Sequence, residues 1–113
     1  MPTFTKEKIV NTCTNIIEAT GVSHQNAKLI AELLAEANST GHDSHGIIRI
    51  PQYLAAIEDN DILTNSDVDI LRETPLTAII DGNWGFGQVT MSRAVEVGLK
   101  KASKSGLAAI TVR

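Results

Sequence analysis

The chain has 113 residues, enough for one domain with an ordinary core. Hydrophobic residues make up 42% and charged residues 20%, an average soluble globular composition. A net charge of −3 and a pI near 5.5 give no basic footprint for nucleic acid or an anionic membrane surface, so neither is an expected partner.

The first predicted element is a helix capped by Thr5, on which Ile9, Val10, Cys13, Ile16 and Ile17 recur at spacings of three and four. Cys13 is the single cysteine, which excludes an internal disulfide and fits a reducing compartment; its place on the apolar stripe makes it a core residue. The segment from Met1 to Glu7 lacks the apolar core of a signal peptide and no stretch is apolar for long enough to cross a bilayer, so the expected location is the cytoplasm. Gly21 stops the first helix and Ser23 caps a second, striped by Ala27, Ile30, Leu33, Leu34 and Ala37. The short connection predicts an antiparallel helical hairpin.

The run Gly41-His42-Asp43-Ser44-His45-Gly46-Ile47-Ile48-Arg49-Ile50, followed by Pro51-Gln52-Tyr53, is the densest chemistry in the chain. A third helix is expected to open near Ser44 and to carry Ile47, Ile48, Ile50, Tyr53, Leu54 and Ile57. Pro51 calls for a late start or a kink, and Asp59-Asn60-Asp61 ends the segment. With a start at Ser44, His45, Arg49 and Tyr53 fall at i, i+4 and i+8 on one side, with Ser44 at the cap. A hydroxyl beside an imidazole orients a ring that exchanges protons near neutral pH, and a guanidinium one turn on suits a planar carboxylate. Those parts suit a small 2-oxo or 2-hydroxy acid. The bland alternative makes Ser44 only a cap, His45 a surface residue and Arg49 a partner of Asp43; Asp43 could also cap in place of Ser44, with His42 solvated. His24, in the first turn of the second helix, is assigned no role.

From Asp67 the pattern changes. Val68, Ile70 and Arg72 alternate with polar residues, and Leu76 to Ile80 is a short buried-strand candidate after Pro75. The cluster Asp81-Gly82-Asn83-Trp84-Gly85-Phe86-Gly87 leads into a helix bearing Met91, Ala94, Val95, Gly98, Leu99 and Ala102. Its glycines read G-x-x-G-x-G rather than the G-x-G-x-x-G of a Rossmann loop, and no acidic ribose ligand follows about twenty residues on. The glycines are therefore read as permitting positive φ and close packing, with Trp84 and Phe86 buried at a domain or subunit boundary. Ser105-Gly106 ends the helix, and Leu107 to Val112 reads as a fully buried strand that needs cover on both faces. Nothing after it supplies that cover, which predicts the N-terminal piece of something larger. The expected organisation is a helical segment over 1–66 carrying the Ser-His-Gly motif, and over 67–113 the start of an α/β nucleotide-binding domain. The fold class is α/β, or α+β within this chain, with N-terminal helices before a strand-helix-strand unit.

Gly41-His42-Asp43-Ser44-His45-Gly46-Ile47 with Arg49 and Pro51-Gln52-Tyr53 resembles the signature of the malate/L-lactate/ureidoglycolate dehydrogenase type 2 family. Asp81 to Gln88, the helix after it and the strand Leu107 to Val112 match the same family in order and spacing, so the resemblance covers nearly the whole chain. It implies a non-Rossmann fold, NAD or NADP as cofactor, reduction of 2-oxo acids or oxidation of 2-hydroxy acids, and a homodimer in full-length form. Carried over residue by residue, it implies Ser44 and His45 as catalytic residues, Arg49 as the anchor of the substrate carboxylate and Tyr53 as part of the pocket wall. It supplies no cofactor-binding residue, and no metal is expected. Family members continue past the position of Arg113 into a segment with another histidine, which the resemblance makes a candidate for the principal proton donor. Most nucleotide contacts lie beyond it, so the 113-residue chain alone is expected to be inactive. The rival readings are a non-catalytic helical interaction module, an inactive truncated gene product, and a nucleotide-binding domain acting through the Gly82 to Gly87 loop.

Overall fold

Thr5 fixes where regular structure begins. In the structure, a computed structural model that describes residues 2–113, its hydroxyl accepts the Lys8 N–H at 3.2 Å and opens helix α1, Lys6–Glu18. Ser23 does the same for α2, His24–Ser39, accepting the Asn26 N–H at 3.3 Å. Between them Gly21 takes φ +104°, a left-handed conformation that ends α1 at little steric cost. Lys6, at the start of α1, bonds Glu36 near the end of α2, and Glu18 at the end of α1 meets His24 at the start of α2 at 3.0 Å. The two helices are therefore antiparallel, as the short connection predicts. Val10, Cys13 and Ile17 face Ala27, Ile30 and Leu34 in a buried seam. Each large aliphatic here contributes about 1.5–3 kcal/mol by leaving water. Thr14, the buried polar residue of α1, returns its hydroxyl to the Val10 carbonyl at 2.6 Å.

The chain divides into two compact units, Met1–Asn65 and Ser66–Arg113. In the first, α2 is followed by two single 3-10 turns, Asp43–His45 and Ile47–Arg49, and then by α3, Ile50–Glu58, with Pro51 in its first turn. The third helix does not open at Ser44. Proline needs no N–H partner in a first turn, so the α-helix starts at the residue before it and the preceding segment closes as tighter turns.

The second unit is a three-stranded sheet with one helix. Strand β1, Asp69–Glu73, pairs antiparallel with β2, Thr77–Asp81, with a bulge between Ile70 and Arg72. β2 pairs parallel with β3, Ala109–Val112, and the crossover between them contains α4, Gly87–Ser105. Ala78 and Ile80 of β2 pack on Ala94 and Val97 of α4, joined by the half-buried Val68, Ile110 and Val112. Gly98 lets β3 come close, since a Cβ there would meet Ile110 at 3.3 Å. α4 ends where Gly106, at φ +82°, donates to the Ala102 carbonyl at 2.7 Å.

Three expectations change in this unit. β3 is not fully buried: Ala109 and Thr111 are exposed and only Ile110 and Val112 are half-covered, because β3 is an edge strand and α4 covers one sheet face. Leu107 lies outside the strand and is exposed. On α4 the covered stripe is Thr90, Ala94 and Val97, while Met91, Val95 and Leu99 face away from the sheet. Among the described residues no helix is long and apolar enough to cross a membrane.

Candidate functional site

Gly41, at φ +86°, turns the chain out of α2, and the His42 N–H returns to the Ala37 carbonyl at 2.8 Å. The next residues fold as two linked turns, with the His45 N–H on the His42 carbonyl, the Gly46 N–H on the Asp43 carbonyl and the Arg49 N–H on the Gly46 carbonyl. Side chains at the apex stay in solvent because the backbone bonds to itself.

Ser44 Oγ and His45 Nδ1 share a hydrogen bond of 3.0 Å. Neither residue caps the helix. The position before α3 belongs to Arg49, which has no side-chain cap bond. Among the described residues, Nε2 of His45 makes no hydrogen bond, so the bonded Nδ1 leaves the other ring nitrogen to the outside. Arg49, half-buried, folds back over the same turn: its Nε donates to the Ser44 carbonyl at 2.7 Å and its Nη1 to Gln52 Oε1 at 2.7 Å. Two N–H groups thus fix the guanidinium plane, and the rest of the fork remains for a ligand. Ser44, His45 and Arg49 are brought together, by adjacent 3-10 turns rather than by one helical face. Tyr53 is half-buried in the first turns of α3.

Asp43 does not pair with Arg49 and does not cap α3; its Oδ1 accepts from Asn38 Nδ2 at 2.8 Å. His42 Nδ1 lies 3.3 Å from Thr40 Oγ1. Two residues of the site escape sequence reasoning. Gln52 carried a weak signal, three residues after Arg49. Asn38 carried none, since a polar residue in the last turn of a helix is unremarkable until the chain is seen to fold back onto it.

The Gly82–Gly87 turn belongs to the other unit, and its geometry departs from expectation. The left-handed residues are not the glycines but Asn83 and Trp84, at φ +50° and +61°, closed by the Gly85 N–H on the Gly82 carbonyl at 2.9 Å. Two consecutive positive φ values are the mark of a type I′ turn. Asn83 tolerates this because its group is fully engaged: its N–H donates to Asp81 Oδ1 at 2.8 Å, its Nδ2 to the Asp67 carbonyl and to Asp69, and its carbonyl accepts from Ser66 Oγ. Asp81 also accepts from Arg113 Nε at 2.9 Å. The Asn83 N–H first, then Arg113, hold the Asp81 carboxyl below its ordinary value. Phe86 is buried as expected, but Trp84 is 80% exposed, because its left-handed backbone turns the indole away from the unit's core. Asp81, Trp84, Thr90, Met91, Val112 and Arg113 line an open cleft of about 620 Å³.

Two of the three glycines of this turn present no open face to a dinucleotide's diphosphate. A phosphate cradle needs glycine faces open to the ligand. Gly82 instead backs onto Thr90, which a Cβ would strike, and Gly85 backs onto Ser66 and the Gly82 carbonyl at 3.3 and 3.1 Å. Gly82 and Gly85 thus serve internal packing, whereas Gly87, at the start of α4, faces open space.

A helical hairpin feeding a Ser-His-Arg turn, with a sheet-and-helix unit after it, defines the class. The chain belongs to the malate/L-lactate dehydrogenase family, whose model matches residues 4–113. It is 37% identical over 99 residues to the L-sulfolactate dehydrogenase of Methanocaldococcus jannaschii, covering 88% of this chain and 29% of that protein. It is 32% identical over 108 residues to a malate dehydrogenase of Pyrococcus abyssi, covering 96% of this chain and 30% of that one. The solved M. jannaschii sulfolactate dehydrogenase superimposes with a TM-score of 0.93 at 35% identity, over 96% of this chain and 31% of that chain. A putative malate/lactate dehydrogenase from E. coli gives 0.95 at 30% identity, over 99% and 31%. The chain therefore spans less than a third of the length of each, and its mixed helix-and-sheet architecture is shared with that part of them.

Proposed function

We propose that this chain supplies the acid-binding and proton-handling side of a 2-oxo acid reductase, equally a 2-hydroxy acid dehydrogenase. The observation that carries this reading is the guanidinium of Arg49, fixed by the Ser44 carbonyl and Gln52 beside the Ser44–His45 pair. Arg49 binds the carboxylate of the acid through its remaining N–H groups, which sets the C2 carbon and its oxygen at a fixed distance from the imidazole. As imidazolium, His45 donates Nδ1–H to Ser44 Oγ and holds its second proton on Nε2. In reduction that proton goes to the oxygen on C2 as a hydride is added to the carbon; in oxidation both leave in reverse. Ser44 keeps the ring oriented, and Tyr53 contributes to the wall around the acid.

A nicotinamide dinucleotide, NAD or NADP, is the hydride carrier that such a reaction requires. Gly82 and Gly85 offer it no open face, and the role assigned to Ser44, His45, Arg49 and Tyr53 is toward the acid. Residues 67–113 are read as the beginning of the nucleotide-binding domain, with the full-length enzyme a cytoplasmic homodimer. Malate is the first substrate, with lactate and aromatic 2-oxo acids next; the names of the relatives support malate and add sulfolactate, whose carboxylate Arg49 would hold in the same way.

The test is a hybrid enzyme in which this chain replaces the matching N-terminal part of the M. jannaschii protein. NAD(P)H oxidation is then followed with oxaloacetate, pyruvate and sulfopyruvate. Turnover above that of the same hybrid carrying Arg49→Ala supports the reading. A folded hybrid that binds NAD(P)H but reduces none of these acids would overturn it.

A further inference from the structure

The turn that carries Ser44 and His45 lies in solvent, has no apolar anchor of its own, and still holds a defined hydrogen bond between the two side chains. Its backbone bonds close each turn, and a further tie comes from outside the motif. Asn38, in the last turn of α2, uses both ends of its amide on this segment. Its Nδ2 donates to Asp43 Oδ1 at 2.8 Å, and its Oδ1 accepts the Ile47 N–H at 2.9 Å. The two contacts fall immediately before Ser44 and immediately after Gly46, so the residues between them form an arc held at both feet by one side chain. Gly46 is buried against the same amide, and any Cβ there would collide with it. The three features are mutually dependent: Asn38 can lie across the arc only because position 46 has no side chain.

We propose that Asn38 is a positioning residue for the Ser44–His45 pair, acting through Asp43 and the Ile47 amide, with Gly46 kept small to admit it. Arg49 is included, because the carbonyl that fixes its Nε belongs to Ser44 inside the arc. An arc free at either foot would let the Ser44 carbonyl and the His45 ring move independently, and catalysis is sensitive to misplacement on the order of 1 Å. The consequence for turnover rests on the reductase reading above; the mechanical claim does not.

The polarity of the bracket gives a specific test. Asp43 is an acceptor facing an amide donor, so Asn38→Asp places two carboxylates together and breaks that foot. Adding Asp43→Asn restores it with donor and acceptor exchanged. The experiment uses the 113-residue chain labelled with 15N. It measures hydrogen exchange of the Ile47 amide and the long-range nitrogen–proton correlations of the His45 ring across pH. In the parent, the Ile47 amide is protected and the ring has one preferred Nδ1 environment. Asn38→Ala raises Ile47 exchange at least tenfold and averages the ring signals, while the amides of Ile17 and Ile30 keep their protection. Asn38→Asp releases the Asp43 foot and averages the ring, and Asn38→Asp with Asp43→Asn restores the parent pattern.

Parent-like ring signals in Asn38→Ala, or failure of the double variant to recover what Asn38→Asp loses, would overturn the proposal. If Asn38→Ala unfolds the helical unit, the double variant alone decides: recovery supports the bracket, and no recovery refutes it. In the hybrid enzyme, the same substitutions lower kcat more than they raise KM and are rescued by the same pair. A folded hybrid that binds NAD(P)H without turnover would sink the reductase reading and leave the exchange data to judge Asn38 by themselves.

Discussion

Arg49→Lys in the hybrid enzyme separates charge from geometry. Arginine here gives one N–H to the Ser44 carbonyl and one to Gln52, which fixes the plane of the fork proposed to bind the acid. Lysine keeps the positive charge but has a single ammonium on a flexible stem, so it cannot hold the turn and grip a carboxylate at two points together. The loss is one charge-assisted hydrogen bond to the acid, about 1.5–3 kcal/mol, together with the orientation that the other contacts provide. The expected fall in kcat/KM for a 2-oxo acid is roughly tenfold to a thousandfold, or about 1.4–4 kcal/mol of transition-state stabilisation. Stability should change little, because Arg49 packs no core and its contacts lie at the surface. Steady-state kinetics with NAD(P)H in excess give the ratio, and a thermal melt gives the control. Unchanged kcat/KM would refute the carboxylate-anchor role.

Two further outcomes concern the second unit. Gly82→Ala drives a methyl group into the buried Thr90 side chain, itself tied to the Phe86 carbonyl, and should destabilise the unit by about 1–3 kcal/mol in urea titration; a neutral result would mean that Thr90 has room to move. Asp81 ionises below its ordinary value, so its bonds to Asn83 and Arg113 stabilise the fold fully above pH 3.8 and fade as pH falls through the lowered folded-state value. The gap in urea midpoint between the parent and Asp81→Asn should therefore be constant from neutral pH down to that region and close below it, and a gap that widens in acid would contradict the sign.

Local chemistry was legible in the sequence; placement decided at a distance was not. Thr5, Ser23, Gly21 and Gly106 act on neighbours within a turn, and each does what its residue type dictates. The stripes of α1 and α2 place Val10, Cys13, Ile17, Ala27, Ile30 and Leu34 correctly in the seam. Ile16 and Leu33, also assigned to them, are exposed because one partner helix covers only a narrow face. Ser44 was misread as a cap because the competing partners of its turn, Asn38 and the Gly46 packing, come from the preceding helix. The same holds for the glycine turn, where positive φ fell on Asn83 and Trp84 once Gly82 and Gly85 were needed for contact with Thr90 and Ser66. On α4 the apolar residues exceed what one sheet face covers, so periodicity alone could not say that Ala94 and Val97 face inward while Met91, Val95 and Leu99 do not. The proximity of Ser44, His45 and Arg49 was legible for the wrong reason: consecutive 3-10 turns gather them as effectively as the helix predicted there.

Under the proposed function, His45 handles the proton. The most direct test is His45→Ala in the hybrid enzyme, with turnover and melting temperature measured on the same preparation. His45 is exposed and its one side-chain bond is to Ser44, so a loss of turnover of at least a hundredfold is expected with the melting temperature nearly unchanged. Turnover per folded molecule equal to that of the parent, with a marked fall in melting temperature, would contradict it.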